Sequence, residues 1–239
     1  MFSNFNVMPK YKHLFFDLDH TLWDFETNSI QTLEELYAKY HLGKSFGSFN
    51  QFYERYEENN NKLWIQYRER KTTKAQLNFD RFYTPFSEVG ITDENIALNF
   101  GQDYITVSPT KTALMPNAIE VLEKLKLKFK LHVITNGFRE VQNIKLKNSN
   151  LKQYFYKIFI SETIGASKPK TAFFEYAVKS CNARKNECLI IGDNLETDID
   201  GAINFGLDYV FLNPNKVPHT RELMHEISDL KELIEIVKS

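Results

Sequence analysis

Five short apolar runs constrain this chain more than any other feature: His13–Phe16, Leu131–Ile134, Ile158–Ile160, Leu189–Ile191 and Tyr209–Leu212. None alternates with polar residues, so each reads as a strand buried on both faces, the pattern of a parallel sheet. Between them apolar residues recur at helical spacing. Ile119, Val121, Leu122 and Leu125 mark one helix, and Phe173, Phe174, Tyr176 and Ala177 another. Ala202, Ile203 and Phe205 mark a third, and Ile227, Leu230, Leu233, Ile234 and Val237 a last one. Strand and helix in alternation predict an α/β fold, a doubly wound parallel sheet with right-handed crossovers.

The stretch from Phe25 to Val107 has a different texture. It contains no comparable strand-like run and is rich in Glu, Lys, Asn and aromatic residues. Ile30, Leu33, Leu36, Tyr37 and Tyr40 sit at helical spacing, as do Phe52, Tyr56 and Leu63, then Leu77, Phe82 and Phe86. Gly43, Gly47, Pro85 with Gly90, and Pro109 punctuate it. The pattern predicts about four helices inserted after the first strand, an all-helical second domain over residues 24–107. Residues 1–23 and 108–239 then form the α/β domain, with hinges near 23–26 and 109–116. The run Asn59-Asn60-Asn61 reads as a polar helix face or a turn.

Composition narrows the function. Lys and Arg number 30 against 31 Asp and Glu, a net charge of -1, without the basic excess of a nucleic-acid-binding protein. No apolar run approaches the roughly 20 residues of a spanning helix. Residues 1–12 show no secretory h-region or cleavage site, so a cytoplasmic chain is expected. Two cysteines, Cys181 and Cys188, cannot build a disulfide scaffold and read as buried thiols.

The chemistry gathers where the runs end. Phe16 is followed by Asp17-Leu18-Asp19-His20-Thr21, two carboxylates two residues apart at a strand mouth. A carboxylate can attack phosphorus to give an aspartyl-phosphate. A second can protonate the leaving group and then activate water. Like charges this close invite Mg²⁺. Asp193 follows the Leu189 run, with Asn194 and Asp198 just after. Thr135-Asn136-Gly137 follows the Leu131 run, and Lys168 follows the Ile158 run. In a doubly wound sheet the carboxyl ends of parallel strands share one edge, where ligands bind. A lysine, a hydroxyl and several carboxylates are thus expected in one crevice. Lys168 and Thr135 suit phosphate oxygens, and the backbone amides around Asn136 and Gly137 add an anion site.

These residues resemble the haloacid dehalogenase superfamily. Asp17, Asp19 and Thr21 match its DxDxT motif, Thr135 its second motif, Lys168 its third, and Gly192, Asp193 and Asp198 its GDxxxxD motif. The insertion is similar to that family's helical type 1 cap. The resemblance implies that Asp17 is the nucleophile and a Mg²⁺ ligand. Asp19 is the acid/base, with its carbonyl on the metal, and Asp193 is the third protein ligand. Thr135, Asn136 and Lys168 hold the phosphoryl group. Asp198 orients Lys168 or metal-bound waters, with Asn194 and Thr21 also in support. Asn194 stands where many relatives carry a second Asp. Asp19 favours phosphate ester hydrolysis over dehalogenation. The segments around Asp17 to Phe25, Thr135, Lys168 and Gly192 resemble the pyrimidine 5′-nucleotidase branch. That implies a small-molecule nucleoside monophosphate substrate and a monomer or homodimer, with no nucleic acid or membrane partner.

For substrate selectivity, the aromatic-rich insertion and the segment after Thr21 offer Phe25, Trp64 and Tyr67 as rings on which a pyrimidine could stack, with Tyr53 and Tyr56 more readily read as core. Arg68, Arg70 and Lys71 read as a solvated face. His20 reads as a flap residue, and Asp24 as the cap of a helix beginning near Thr27. The rival readings are a sugar-phosphate or phosphoglycolate-type phosphatase, a hexose-phosphate mutase, a metal-independent 2-haloacid dehalogenase and a non-enzymatic binding protein. The last is opposed by the intact set Asp17, Asp19, Lys168 and Asp193.

Overall fold

A computed structural model describes residues 10–238; the stretch 1–9, where no leader was expected, lies outside the described residues. All six strands are parallel. They are β1 (His13–Phe16), β2 (Lys130–Thr135), β3 (Lys157–Ile160), β4 (Cys188–Gly192), β5 (Asp208–Leu212) and β6 (Glu226–Ile227), in spatial order β3-β2-β1-β4-β5-β6. Leu14, Phe15 and Phe16 have no solvent exposure, which is why the β1 run carries no polar alternation. The order reverses direction at β1, which lies between β2 and β4. That is the switch point outside which ligands bind in open α/β sheets.

The chain divides into two compact units, residues 25–112 and residues 10–24 with 113–238. The first unit is helical: α1 (Phe25–Lys39), α2 (Gly43–Phe46), α3 (Phe49–Arg68), α4 (Lys74–Ser87) and α5 (Glu94–Val107). Side-chain caps start three of them. Ser48 accepts from Gln51 N, Thr73 from Gln76 N and Asp93 from Asn95 N. Their inward faces meet in an aromatic core of Phe52, Tyr56, Phe82, Phe86, Phe100 and Tyr104. Tyr56 stacks on Phe82 with centroids 5.5 Å apart, and its hydroxyl donates to the Tyr104 hydroxyl at 3.0 Å.

The α/β unit adds α6 (Ala118–Leu125), α7 (Arg139–Asn148), α8 (Ser161–Ile164), α9 (Thr171–Ser180), α10 (Asp200–Phe205) and α11 (Leu233–Ile236). Phe173, Phe174, Ala177 and Val178 of α9 pack with Phe15, Ile134, Phe159, Cys188 and Ile190 from the strands. Among the described residues no helix is long and apolar enough to cross a membrane.

Four local expectations need correction. Ile227 belongs to β6, not to the last helix, because its backbone extends the sheet: the Asn213 N–H donates to the Ile227 carbonyl at 2.8 Å. Helix α1 begins at Phe25 rather than near Thr27. Residues Ser108–Thr110 form a 3₁₀ turn that groups with the helical unit, so the unit boundary falls after Thr112. Pro85 does not interrupt the chain but lies inside α4. A proline there leaves the carbonyl four residues earlier without its helical donor. The Asn59 side chain on α3 supplies one instead, reaching the Arg81 carbonyl at 3.3 Å and the Asp80 carbonyl at 2.8 Å.

That substitution of a side-chain donor for a missing backbone donor is testable. Asn59→Ala is expected to destabilise the protein by about 1–3 kcal/mol, the cost of leaving the Arg81 carbonyl unpaired. Pro85→Ala restores a backbone N–H for Arg81, so the same Asn59→Ala change should cost less in that background. Urea unfolding of the four proteins of this double-mutant cycle measures the coupling, and strict additivity would rule the explanation out.

Candidate active site

Strand β1 ends at Phe16, but the next amide continues the ladder: Asp17 N donates to the Ile191 carbonyl of β4 at 2.8 Å. This fixes the Asp17 backbone at the mouth of the sheet. The chain then folds back on itself. The Leu22 and Trp23 amides both donate to the Leu18 carbonyl, at 2.9 and 2.8 Å, and His20 N donates to the Trp23 carbonyl at 2.9 Å. Exposed His20 occupies the tip of this turn with φ 63°, in the left-handed region that non-glycine residues visit rarely.

Lys168 is 2% exposed, and its ammonium lies between two carboxylates. Its Nζ contacts Asp17 Oδ1 at 2.5 Å and Asp198 Oδ1 at 2.6 Å. Burial disfavours the ammonium, yet the two carboxylates outweigh it and raise the lysine's proton affinity above normal. Asp198 reaches this position from a single π turn, Leu195–Ile199, whose wide backbone bond runs from Ile199 N to the Asn194 carbonyl at 3.3 Å. Such turns recur at functional sites. Gly192 leaves the room it needs, since a Cβ there would lie 2.4 Å from the Asp198 carboxyl group.

Asp193 sits at the end of β4 and accepts a hydrogen bond from the Thr21 hydroxyl at 2.7 Å. Burial, then the neighbouring Asp198, pushes its carboxyl up to about 6. Asp17 is likewise raised well above the usual carboxylate range, by burial first, with Lys168 opposing. Carboxylate oxygens of Asp17, Asp193 and Asp198 lie within 4.8 Å of one another. Three carboxylates and one ammonium carry -3 and +1, a local charge of -2. An all-oxygen donor set with that charge fits a divalent hard cation such as Mg²⁺. Asp198 is engaged by both Lys168 and the Asn194 amide, at 2.6 and 3.2 Å, which leaves Asp17 and Asp193 with the freer carboxylate oxygens of the three.

Asp19 occupies a separate ion pair. Lys145 Nζ contacts its Oδ1 at 2.6 Å, and Gln142 Nε2 donates to Oδ2 at 2.7 Å. Burial works to raise its pKa, but Lys145 and these hydrogen bonds prevail and hold it below the usual value. Lys145 also lies 3.9 Å from the centroid of the Trp23 ring. Neither Gln142 nor Lys145 was expected at the site. Their signal was available: they stand three residues apart on the helix that follows Thr135-Asn136-Gly137, and so share one helix face. Gly137 has the matching role, since a Cβ there would lie 1.7 Å from Gln142 Nε2.

Two expected phosphate ligands have other contacts. The Asn136 side chain clamps the Lys168 backbone, donating to its carbonyl and accepting from its amide, both at 3.0 Å. Thr135 Oγ1 accepts from Gly137 N at 3.1 Å and Gln142 Nε2 at 3.0 Å. Asn194, expected near metal-bound water, is instead a helix cap, accepting from Glu196 N and Thr197 N. In the helical unit, half-buried Trp64 and Tyr67 meet edge-on with centroids 5.8 Å apart, and the Arg81 guanidinium lies 5.9 Å from the Trp64 centroid. Tyr56 is core, Tyr53 stacks on Phe49, and Phe25 opens α1 half-buried. Arg70 and Lys71 are exposed and Arg68 partly so.

Comparison with known proteins gives this arrangement a family. The model for haloacid dehalogenase-like hydrolases matches residues 11–206. The chain belongs to the haloacid dehalogenase-like hydrolases. It is 30% identical to the HAD-hydrolase YfnB of Bacillus subtilis over 233 residues, 96% of this chain and 97% of that one. The crystal structure of YfnB bound to magnesium superposes with a TM-score of 0.85, covering 96% of this chain and all of YfnB. The pyrimidine 5′-nucleotidase YjjG of Escherichia coli is 31% identical over 205 residues, 85% of this chain and 87% of YjjG. The pyrimidine 5′-nucleotidase PynA of Streptococcus pneumoniae is 30% identical over 229 residues, 94% of each chain.

In this hydrolase the contacts on Asp19 generate a prediction. Gln142→Leu removes one of its two anchors while leaving Lys145 in place. A displaced reacting group costs up to about a hundredfold in rate. The variant is expected to lose roughly tenfold to a hundredfold in kcat with KM and melting temperature little changed. A kcat within twofold of the parent would show that Gln142 does not position Asp19.

Proposed function

We propose that this phosphatase of the haloacid dehalogenase family hydrolyses pyrimidine nucleoside 5′-monophosphates through an aspartyl-phosphate, with Mg²⁺ as cofactor. The observation that carries the chemistry is the buried Asp17–Lys168–Asp198 bridge beside Asp193, with Asp19 held on its own cation a short distance along the same turn. The finer reading, a pyrimidine nucleotide as substrate, is supported by the likeness to YjjG and PynA.

The residues divide the work as follows. Lys168 holds Asp17 Oδ1, so Oδ2 is the nucleophile toward phosphorus. A P–O bond forms to Asp17 as the bond to the leaving oxygen breaks. That oxygen takes a proton from Asp19, whose ionised form is favoured by Lys145 until the negative phosphoryl group arrives and raises its proton affinity. In the second half Asp19 removes a proton from the water that attacks the aspartyl-phosphate, releasing inorganic phosphate and restoring Asp17. Lys168, the Thr135 hydroxyl and the amides around Asn136 and Gly137 balance charge on the phosphoryl oxygens. When bound, Mg²⁺ would neutralise the carboxylates and polarise the phosphoryl group. Asp193, kept in place by Thr21, would hold it together with Asp17 and the Asp19 carbonyl. Three aromatic residues of the helical insertion, Phe25, Trp64 and Tyr67, select the base.

Asp17→Asn retains the Lys168–Asp198 pair and removes the nucleophile, so phosphate release should fall by roughly three orders of magnitude or more. Its thermal melting should be unchanged, and turnover within tenfold of the parent would exclude Asp17 as nucleophile. Chelation with EDTA should abolish activity and Mg²⁺ restore it, whereas Ca²⁺, with its looser coordination, should bind without restoring turnover. Full activity after chelation would favour the metal-independent dehalogenase reading.

Substrate class is tested by comparing kcat/KM. UMP, dUMP or dTMP is expected to exceed glucose-6-phosphate, β-glucose-1-phosphate and phosphoglycolate. A stacked base contributes about 1–3 kcal/mol, roughly tenfold to a hundredfold in selectivity. Trp64→Ala or Tyr67→Ala should narrow that gap. If a sugar or acid phosphate wins by tenfold, the nucleotide assignment falls while the phosphatase chemistry stands.

A further inference from the structure

At the opposite end of β1 from Asp17, roughly 13 Å away at the rise of a strand, is a cluster that the phosphatase chemistry does not use. His13 begins β1, His132 lies in β2, and Cys181 follows α9. His13 is 5% exposed and His132 not at all, while Cys181 is half-buried. His13 Nδ1 and His132 Nε2 are 3.0 Å apart, and Cys181 Sγ is 3.6 Å from the same His132 Nε2. All three donor atoms fall within 4.8 Å of one another.

We propose that His13, His132 and Cys181 form a second metal site, one for a borderline-to-soft transition-metal ion of the Zn²⁺ type. Ligand spacing is the main argument. Zinc binds imidazole nitrogen at about 2.05 Å and thiolate sulfur at about 2.3 Å. A tetrahedron of those bonds has N–N edges near 3.3 Å and N–S edges near 3.6 Å, by geometry from the same lengths. The observed 3.6 Å matches the N–S edge, and the 3.0 Å N–N contact, a hydrogen bond between the two imidazoles, needs to open by only about 0.3 Å to reach the N–N edge. The donor set points the same way, since nitrogen and sulfur select zinc or copper over magnesium.

The surroundings keep the two imidazoles in their metal-binding state and hold the thiol protonated until a metal arrives. Burial pushes His132 down to about 3 and lowers His13, with Lys130 and Lys157 adding to the effect, so both imidazoles are neutral at physiological pH. Burial pushes the Cys181 thiol up to about 11, so coordination displaces one proton from sulfur to solvent. The resulting thiolate offsets part of the repulsion from Lys130 and Lys157. Phe15 stacks on the His132 ring at 4.6 Å and holds its plane. A water would supply the fourth ligand of the tetrahedron. Cys188 is paired in register with His13, but its thiol donates to the Arg184 carbonyl at 3.2 Å and is not assigned to the metal.

The test uses the full chain, stripped of metal and then saturated with Mg²⁺ so that the carboxylate site is occupied. Titration with Co²⁺ should give one equivalent of a near-ultraviolet thiolate-to-cobalt charge-transfer band and intense tetrahedral d–d bands, both bleached by Zn²⁺. Carboxylates cannot produce the thiolate band, so the readout is independent of the catalytic site. Cys181→Ser should abolish the band and weaken Zn²⁺ binding at least about a hundredfold, leaving Mg²⁺-supported phosphatase activity unchanged; His132→Asn should do the same where it folds. Cys188→Ser should keep the band. Absence of the band in the parent, its survival in Cys181→Ser, or its loss in Cys188→Ser alone would overturn the assignment.

Discussion

The site depends on one buried cation. Lys168 lies almost wholly out of solvent between Asp17 and Asp198, and burying its ammonium with neither carboxylate would be strongly unfavourable. Each supporting feature serves that placement. Asn136 clamps the lysine backbone from both sides, the π turn carries Asp198 beneath the ammonium, and Gly192 leaves the space that Asp198 fills. Asp17 is thereby held by two elements at once, through its amide on β4 and its carboxylate on Lys168.

Two neighbouring acids two residues apart in sequence thus acquire opposite electrostatic settings. Asp17 is raised by burial among other carboxylates, and Asp19 is lowered by Lys145 and Gln142. The local charge of -2 around Asp17, Asp193 and Asp198 follows from giving Lys168, but not a second cation, to three carboxylates.

The helical unit rests on a different principle. Its stability comes from an aromatic core in which rings meet at tilted or edge-on angles, such as Phe82 against Phe100 at 4.7 Å and Phe86 against Phe100 at 88°. Some buried polar groups are paired within it, as with the Ser29, Tyr104 and Tyr56 hydroxyls. Asn59, read from sequence as part of a polar run, is one of these: it completes the bonding of a helix that carries an internal proline.

The sequence by itself determined the parallel sheet, the place of the helical insertion and the residue types at the strand mouths. Unbroken apolar runs are buried on both faces, and the residue after each run must lie at the carboxyl edge. Asp17, Asp193 and Thr135 were therefore placed near that edge by position, whereas Lys168, separated from its run by α8, was singled out by its motif. What a side chain does at that edge was not. Asn136, expected as a phosphate ligand, clamps a backbone, and Asn194, expected in a supporting role, caps a helix, because an amide side chain can bind backbone groups of either kind. Gln142, Lys145 and the His13–His132–Cys181 cluster were not foreseen as groups, since each joins residues distant in the chain whose approach is fixed only by packing. Ile227 moved from helix to strand for the same reason: two residues carry no periodicity, and the hydrogen bond from Asn213 decided its state.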